Sequence, residues 1–186
     1  MEVDFVTGNK KKVMEANSIG KDFGIIFKQI DYTYPEIRDD NPVVVAEHKA
    51  RTSYDKYKKP LIVEDSGVFI HALNGFPGTC SAFVFEKIGL KGVLKLLEDV
   101  DDRSASMITA IAFFDGKEMR TFVGEVEGFI SHEVRGDWGF GYDPFFVPEG
   151  REKTFAEEPE YKSDFSHRIR AFKRFCKWYK EEYSLL

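Results

Sequence analysis

The chain has 186 residues, a length that suits a single domain spanning residues 1–186, and 42% hydrophobic content with 18 Phe describes a folded protein with a sizeable core. A formal net charge of −5 argues against general affinity for the nucleic-acid backbone, so any anion the protein binds must meet a local basic site. No apolar stretch approaches the ~20 residues of a membrane span, the amino end lacks the pattern of a leader, and the two cysteines, Cys80 and Cys176, lack metal-ligand spacing, which together point to a cytoplasmic protein with no membrane partner.

Glu2 to Val6 alternates as a strand, Thr7-Gly8-Asn9 makes a turn, and a helix opens at Lys10. Ile25 to Gln29 reads as a second strand, which makes the start a strand-helix-strand unit. Asn41 followed by Pro42 is a cap and first-turn proline for a helix ending near Lys58, with Val43, Ala46, Ala50, Tyr54 and Tyr57 on one apolar face. Leu61 to Val63 is a short buried strand ending at Glu64 and Asp65, and "GVFIHAL" continues the region as strand. Leu90, Val93, Leu94 and Leu97 recur at helical spacing. Strand-like runs from Ser106 to Phe114 and Glu118 to Ile130 flank Asp115-Gly116, a hairpin signal, and Ile169, Phe172, Phe175, Cys176 and Tyr179 mark a final amphipathic helix capped by Ser163 or Ser166. Alternation at the start and antiparallel runs in the middle imply an α/β fold with a mixed sheet.

Four segments carry candidate chemistry. Lys10, Lys11 and Lys12 occupy the amino end of the first helix, where the helix dipole disfavours cations by a few tenths of a kcal/mol each. A phosphate bound at the Thr7-Gly8-Asn9 turn would explain them, and a solvated lysine run is the other reading. No P-loop is present. "VEDSG" puts Glu64 and Asp65 where open α/β sheets bind ligands; alternation lets only one of them face a site, and an exposed acidic turn is the alternative. With Glu36 in "YPEIRDD", a second carboxylate would suit Mg²⁺ beside a polyphosphate. "WGFGYDP", Trp138 to Pro144, offers rings on a glycine-rich backbone, either a stacking platform for a base or core packing. "KSDFSHRIR" sets His167 and Arg168 at the start of the last helix, a second cationic amino end. His48, His71 and His132 show no metal-ligand spacing.

In this order, "TGNKKK", "PE", "EDSG", "FPG", "FGYDP" and "SHR" resemble the inosine/xanthosine triphosphate pyrophosphatase family, over Thr7 to Arg170. The resemblance implies a homodimer of an elongated α/β fold, a mixed sheet flanked by helices, with two lobes around a central cleft. There a purine nucleoside triphosphate with Mg²⁺ would be split into monophosphate and pyrophosphate. By the same resemblance Thr7, Gly8, Asn9, Lys10, Lys11 and Lys12 surround the triphosphate, and Glu36 and Asp65 hold Mg²⁺. Asp65 is also the base for the attacking water, while Ser66 and Lys49 contact the substrate. Phe140, Gly141, Tyr142 and Asp143 form the base loop, and Lys162, His167 and Arg168 read the purine edge. Many members carry a cation shortly after the "PG" turn, but Thr79 to Phe85 has none. Three competing readings are a Maf-type pyrophosphatase, a nucleotide sensor without catalysis, and an RNA-binding protein, the last disfavoured by the acidic balance.

Overall fold

A computed structural model describes residues 1–32 and 37–183. Its elements are β1 (Glu2–Val6), α1 (Lys10–Phe23), β2 (Ile26–Ile30), α2 (Pro42–Tyr57), β3 (Leu61–Ile70), β4 (Pro77–Gly78), α3 (Ser81–Leu96), β5 (Ser104–Phe114), β6 (Met119–Ile130), β7 (Phe146–Pro148), α4 (Pro159–Phe165) and α5 (His167–Glu181). One mixed sheet runs β2-β1-β3-β5-β6-β7, with β4 paired to β3. β1 is parallel to β2 and β3, and the other pairings are antiparallel.

Local chemistry sets the helix ends. Asn9 caps α1 by accepting from the Lys11 and Lys12 amides, Asn41 caps α2 ahead of Pro42, and Ser166 caps α5 through the Ile169 amide. Ser166 also ends α4, so of the two serines considered for the α5 cap it is this one, and His167 and Arg168 become the first two residues of that helix.

Side chains alternate across β3 and sort the core. Ile62 faces α1 and α5 in a cluster with Phe5, Phe27, Phe113, Phe172 and Phe175. Leu61 and Val63 face α2 with Ala46 and Ala50. A third cluster, built on Val68, Ile70, Val93, Tyr142, Phe145 and Phe146, fills the far end of the sheet.

β3 corrects the expectation of a short strand ending at Asp65. It runs unbroken for 10 residues because β5 pairs with it residue by residue from Leu61↔Phe114 to Ile70↔Ala105. Glu64 and Asp65 therefore sit in mid-strand. β1 pairs with β3 only at Phe5↔Ile62, and it is this early departure of β1 that opens space beside them. His71–Leu73, expected as strand, is a 3-10 turn closed by the Asn74 amide donating to the His71 carbonyl.

One glycine fixes how the last helix meets the sheet. A Cβ on Gly124 of β6 would lie 2.0 Å from the His167 carbonyl oxygen and 2.5 Å from the Ala171 nitrogen, so α5 rests directly on the strand backbone. Arg170 and Arg174 donate to the Glu125 and Val123 carbonyls and hold the helix there.

Candidate active site

The cleft that β1 leaves has a volume of about 350 Å³, and its walls come from both ends of the sheet. Asn9, Lys11 and Lys12 stand on one side, Ser66, Gly67 and Val68 form the floor, and Phe140 to Asp143 with His167 and Arg168 close the other side. A second hollow of about 530 Å³ adjoins it across Lys11 and Phe140 and is walled by Glu15, Trp138, Lys162 and Ser166.

The first turn is tied down before any ligand arrives. Thr7 is buried; its amide donates to the Ile30 carbonyl, its hydroxyl accepts from the Asn9 amide, and its carbonyl accepts from the Gln29 side chain. Gly8 and Lys10 are exposed. Lys11 reaches across to the Gly139 carbonyl at 3.4 Å and to the Phe140 ring, and Lys12 turns inward to Glu64 Oε1 at 3.3 Å. Burial lowers the Lys12 pKa, against the pull of Glu64.

Glu64 and Asp65 face opposite sides of the sheet, as alternation requires, and both are buried in ion pairs. Asp65 Oδ1 meets the buried Lys49 ammonium at 2.7 Å. Glu64 receives Arg168 Nε at 3.1 Å on each oxygen. Burial would raise the Glu64 pKa, but Arg168 and Lys12 overcome it and hold the carboxyl at about 2. Glu36 lies outside the described residues.

Arg168 continues the chain of charges. Nη1 donates to Glu15 Oε2 at 2.7 Å and Nη2 to the Ser66 hydroxyl at 3.2 Å. Glu15 also receives Lys162 at 3.0 Å, and Lys162 donates to Asp143 Oδ2 at 2.6 Å. Asp143 Oδ2 accepts from the Phe140 amide as well, which fixes the loop, and Gly139 and Gly141 there adopt positive φ of 88° and 62°. That backbone requirement accounts for the glycines between the rings. The Phe140 ring faces three cations, with Lys162 at 4.5 Å, Arg168 at 5.3 Å and Lys11 at 5.4 Å from its centroid. Tyr142 belongs to the far core cluster and donates its hydroxyl to the Ser81 carbonyl, while its ring still lines the cleft. Trp138 is exposed at the rim of the second hollow.

His167 is buried, and burial together with Arg168 and Lys162 pushes its pKa well below the usual value, so the ring is neutral near pH 7. Its Nδ1 has no hydrogen-bond partner among the described residues. Arg168, which lines the cleft, carries five N–H donors, of which one on Nε and one on each Nη are used, so two have no hydrogen-bond partner among the described residues. Buried polar groups left open in this way are normally satisfied by water or a ligand.

Two carboxylates thus organise the site: Glu15, which sequence reasoning passed over and which joins Arg168 to Lys162, and Glu64, which it weighed only as the alternative to Asp65 and which joins Arg168 to Lys12. Lys12 and Glu15 stand three apart on α1, which places them on one helix face, and that spacing was the available signal.

Residues 3–178 match the Ham1 family. A dITP/XTP pyrophosphatase of Methanopyrus kandleri is 47% identical over 182 residues, covering 97% of each chain. One of Saccharolobus solfataricus is 45% identical, covering 96% of this chain and 93% of the relative. The solved structure of the Staphylococcus aureus Ham1 protein superposes with a TM-score of 0.85 at 27% identity, covering 98% of this chain and all of that one. The motifs that line the cleft lie within the matched stretch, and the chain belongs to the Ham1 family.

Proposed function

We propose that this chain hydrolyses non-canonical purine nucleoside triphosphates, those of inosine, deoxyinosine and xanthosine, to the monophosphate and pyrophosphate. The observation that carries the reading is the convergence on one cleft of a capped helix start with Lys11 and Lys12, an aromatic glycine loop, and Arg168 beside a His167 whose Nδ1 is open, with the buried Asp65–Lys49 pair one residue before the Ser66 floor on the same strand. The names of the relatives support the substrate class.

In this reading the Thr7-Gly8-Asn9 turn, through its Gly8 amide, takes the β and γ phosphate oxygens together with Lys10, Lys11 and Lys12, and these groups stabilise the departing pyrophosphate. Asp65, steadied by Lys49, orients a water toward the α-phosphorus and accepts its proton, and Ser66 contacts the substrate beside it. Phe140 stacks on the base, with Gly141, Tyr142 and Asp143 shaping its seat. Lys162, His167 and the open donors of Arg168 meet acceptors on the purine edge.

The charges of the site bear on the metal. Among the described residues, the cations Lys12, Lys49, Lys162 and Arg168 are paired with the carboxylates of Glu15, Glu64, Asp65 and Asp143, so this part of the network is close to neutral. A bound triphosphate therefore adds negative charge that Lys10 and Lys11 alone do not balance. Mg²⁺, which takes one or two carboxylates and completes its shell with phosphate oxygens and water, fits that need, with Asp65 and Glu36 as its protein ligands. When bound it would supply neutralising charge to the phosphate oxygens.

The test is the product pair. Inosine triphosphate with Mg²⁺ should yield inosine monophosphate and pyrophosphate. Diphosphate with orthophosphate would overturn the assignment, and binding without any product would turn the protein into a sensor. We also place the enzyme in the cytoplasm as a homodimer, residues 1–186 acting as one unit. Exposed Phe83, Phe85, Ile88 and Leu96 along α3 favour a covered surface, and a monomeric mass by light scattering would remove the dimer.

A further inference from the structure

We propose that Glu64 couples recognition of the base to the grip on the triphosphate, a specificity-determining role that rests on the function proposed above. Its side chain is fully buried and is shared between two cations that serve different ends of the substrate. Oε1 faces both Arg168 Nε at 3.1 Å and Lys12 Nζ at 3.3 Å, and Oε2 faces Arg168 Nε at 3.1 Å. Both side chains line the cleft, Lys12 beside the turn proposed to hold the phosphates and Arg168 beside the loop proposed to hold the base.

One carboxylate charge divided between two cations cannot strengthen its hold on one without relaxing its hold on the other, and burial leaves little solvent to screen the exchange. The backbone does not absorb the change, because Glu64 stands in a strand paired to β5 along its whole length. Ser66, two residues further on the same face, keeps Arg168 within reach through Nη2. A base presenting an oxygen acceptor draws on the two open donors of Arg168, so more of the Glu64 charge is left to hold Lys12 in place. A base presenting an amino group meets those donors with another donor, Arg168 stays on Glu64, and Lys12 is held less firmly. With its pKa at about 2, Glu64 stays charged throughout the neutral range, so the coupling works by the positions of charges and not by proton transfer.

The experiment measures binding, with Mg²⁺, of the non-hydrolysable α,β-methylene triphosphates of inosine and adenosine to the native protein and to Lys12→Met, Glu64→Gln and the double variant. The affinity lost on Lys12→Met should be at least about 5-fold larger for the inosine analogue than for the adenosine analogue, within the usual range of coupling between sites. In the Glu64→Gln background the two losses should agree to within about 2-fold. A lysine that merely supports the fold would cost both ligands equally. Equal losses in the native background overturn the proposal, and they do so even if Glu64→Gln does not fold. Unequal losses that persist unchanged in Glu64→Gln also overturn it, by placing the coupling elsewhere. Failure of the inosine analogue to bind the native protein overturns both the coupling and the function, whereas an adenosine analogue that does not bind overturns the coupling alone. Base-dependent losses in a protein that releases no pyrophosphate would keep the coupling and discard only the reaction.

Discussion

Asp65→Asn should lower turnover of inosine triphosphate by at least ~100-fold, the expected cost of removing the proposed general base and metal ligand. The substitution keeps the shape of the side chain but removes the charge that faces Lys49 at 2.7 Å in a buried setting. The loss should fall mainly on kcat, measured by pyrophosphate release at saturating substrate, while the Mg²⁺–nucleotide complex still binds in calorimetry. Near-normal turnover would remove Asp65 from the mechanism. Because the substitution removes the buried carboxylate charge that pairs with the Lys49 ammonium, the variant should also be less stable, by about 3–5 kcal/mol.

Arg168→Ala has the second large effect, and it strikes specificity and stability together. The guanidinium satisfies Glu64, Glu15 and Ser66 at once, so its loss leaves the buried Glu64 to Lys12 alone and the half-buried Glu15 to Lys162 alone, and should destabilise the protein by about 3–5 kcal/mol. Among molecules that remain folded, kcat/KM for inosine triphosphate should fall further than for ATP, and the ratio between them should narrow at least ~10-fold. Sites built to hydrogen-bond a substrate reject the mismatched analogue by about 10⁴ or more, so the native ratio leaves room for such a drop. An unchanged ratio in a protein shown to be folded by its thermal transition would mean that Arg168 does not read the base.

What could be read from the sequence follows the range of the forces involved. Asn9, Asn41 and Ser166 cap their helices through amides two or three residues away, so a local pattern finds them. Asp115-Gly116 likewise marks the hairpin that joins β5 to β6. The length of β3 was not legible, since it depends on a partner strand about 40 residues later in the chain. The apolar run Leu61 to Val63 and the strand pattern from Gly67 onward were both visible, but nothing at Asp65 and Ser66 announces that the two are one unbroken strand. The carboxylates of the site divide in the same way. Asp65 was found because it lies in a recognisable motif, whereas Glu15 sits in mid-helix and acquires its meaning only from Lys162 and Arg168, more than 140 positions away. Glu36, the second proposed metal ligand, falls outside the described residues, so its place rests on the sequence alone.

The missing methyl at Gly124 constrains how this protein could be redesigned. Because α5 touches the β6 backbone where any Cβ would collide with the His167 carbonyl, a side chain at position 124 would push away the start of the helix, the end proposed to read the base, as a whole. Substrate choice can therefore be retuned by exchanging side chains at positions 167 and 168, one at a time, against an unmoving support. An alanine at 124 would instead shift both readers together and carry the Glu64 and Glu15 contacts with them. Libraries aimed at new base preferences should keep that glycine fixed and vary the residues it holds in register.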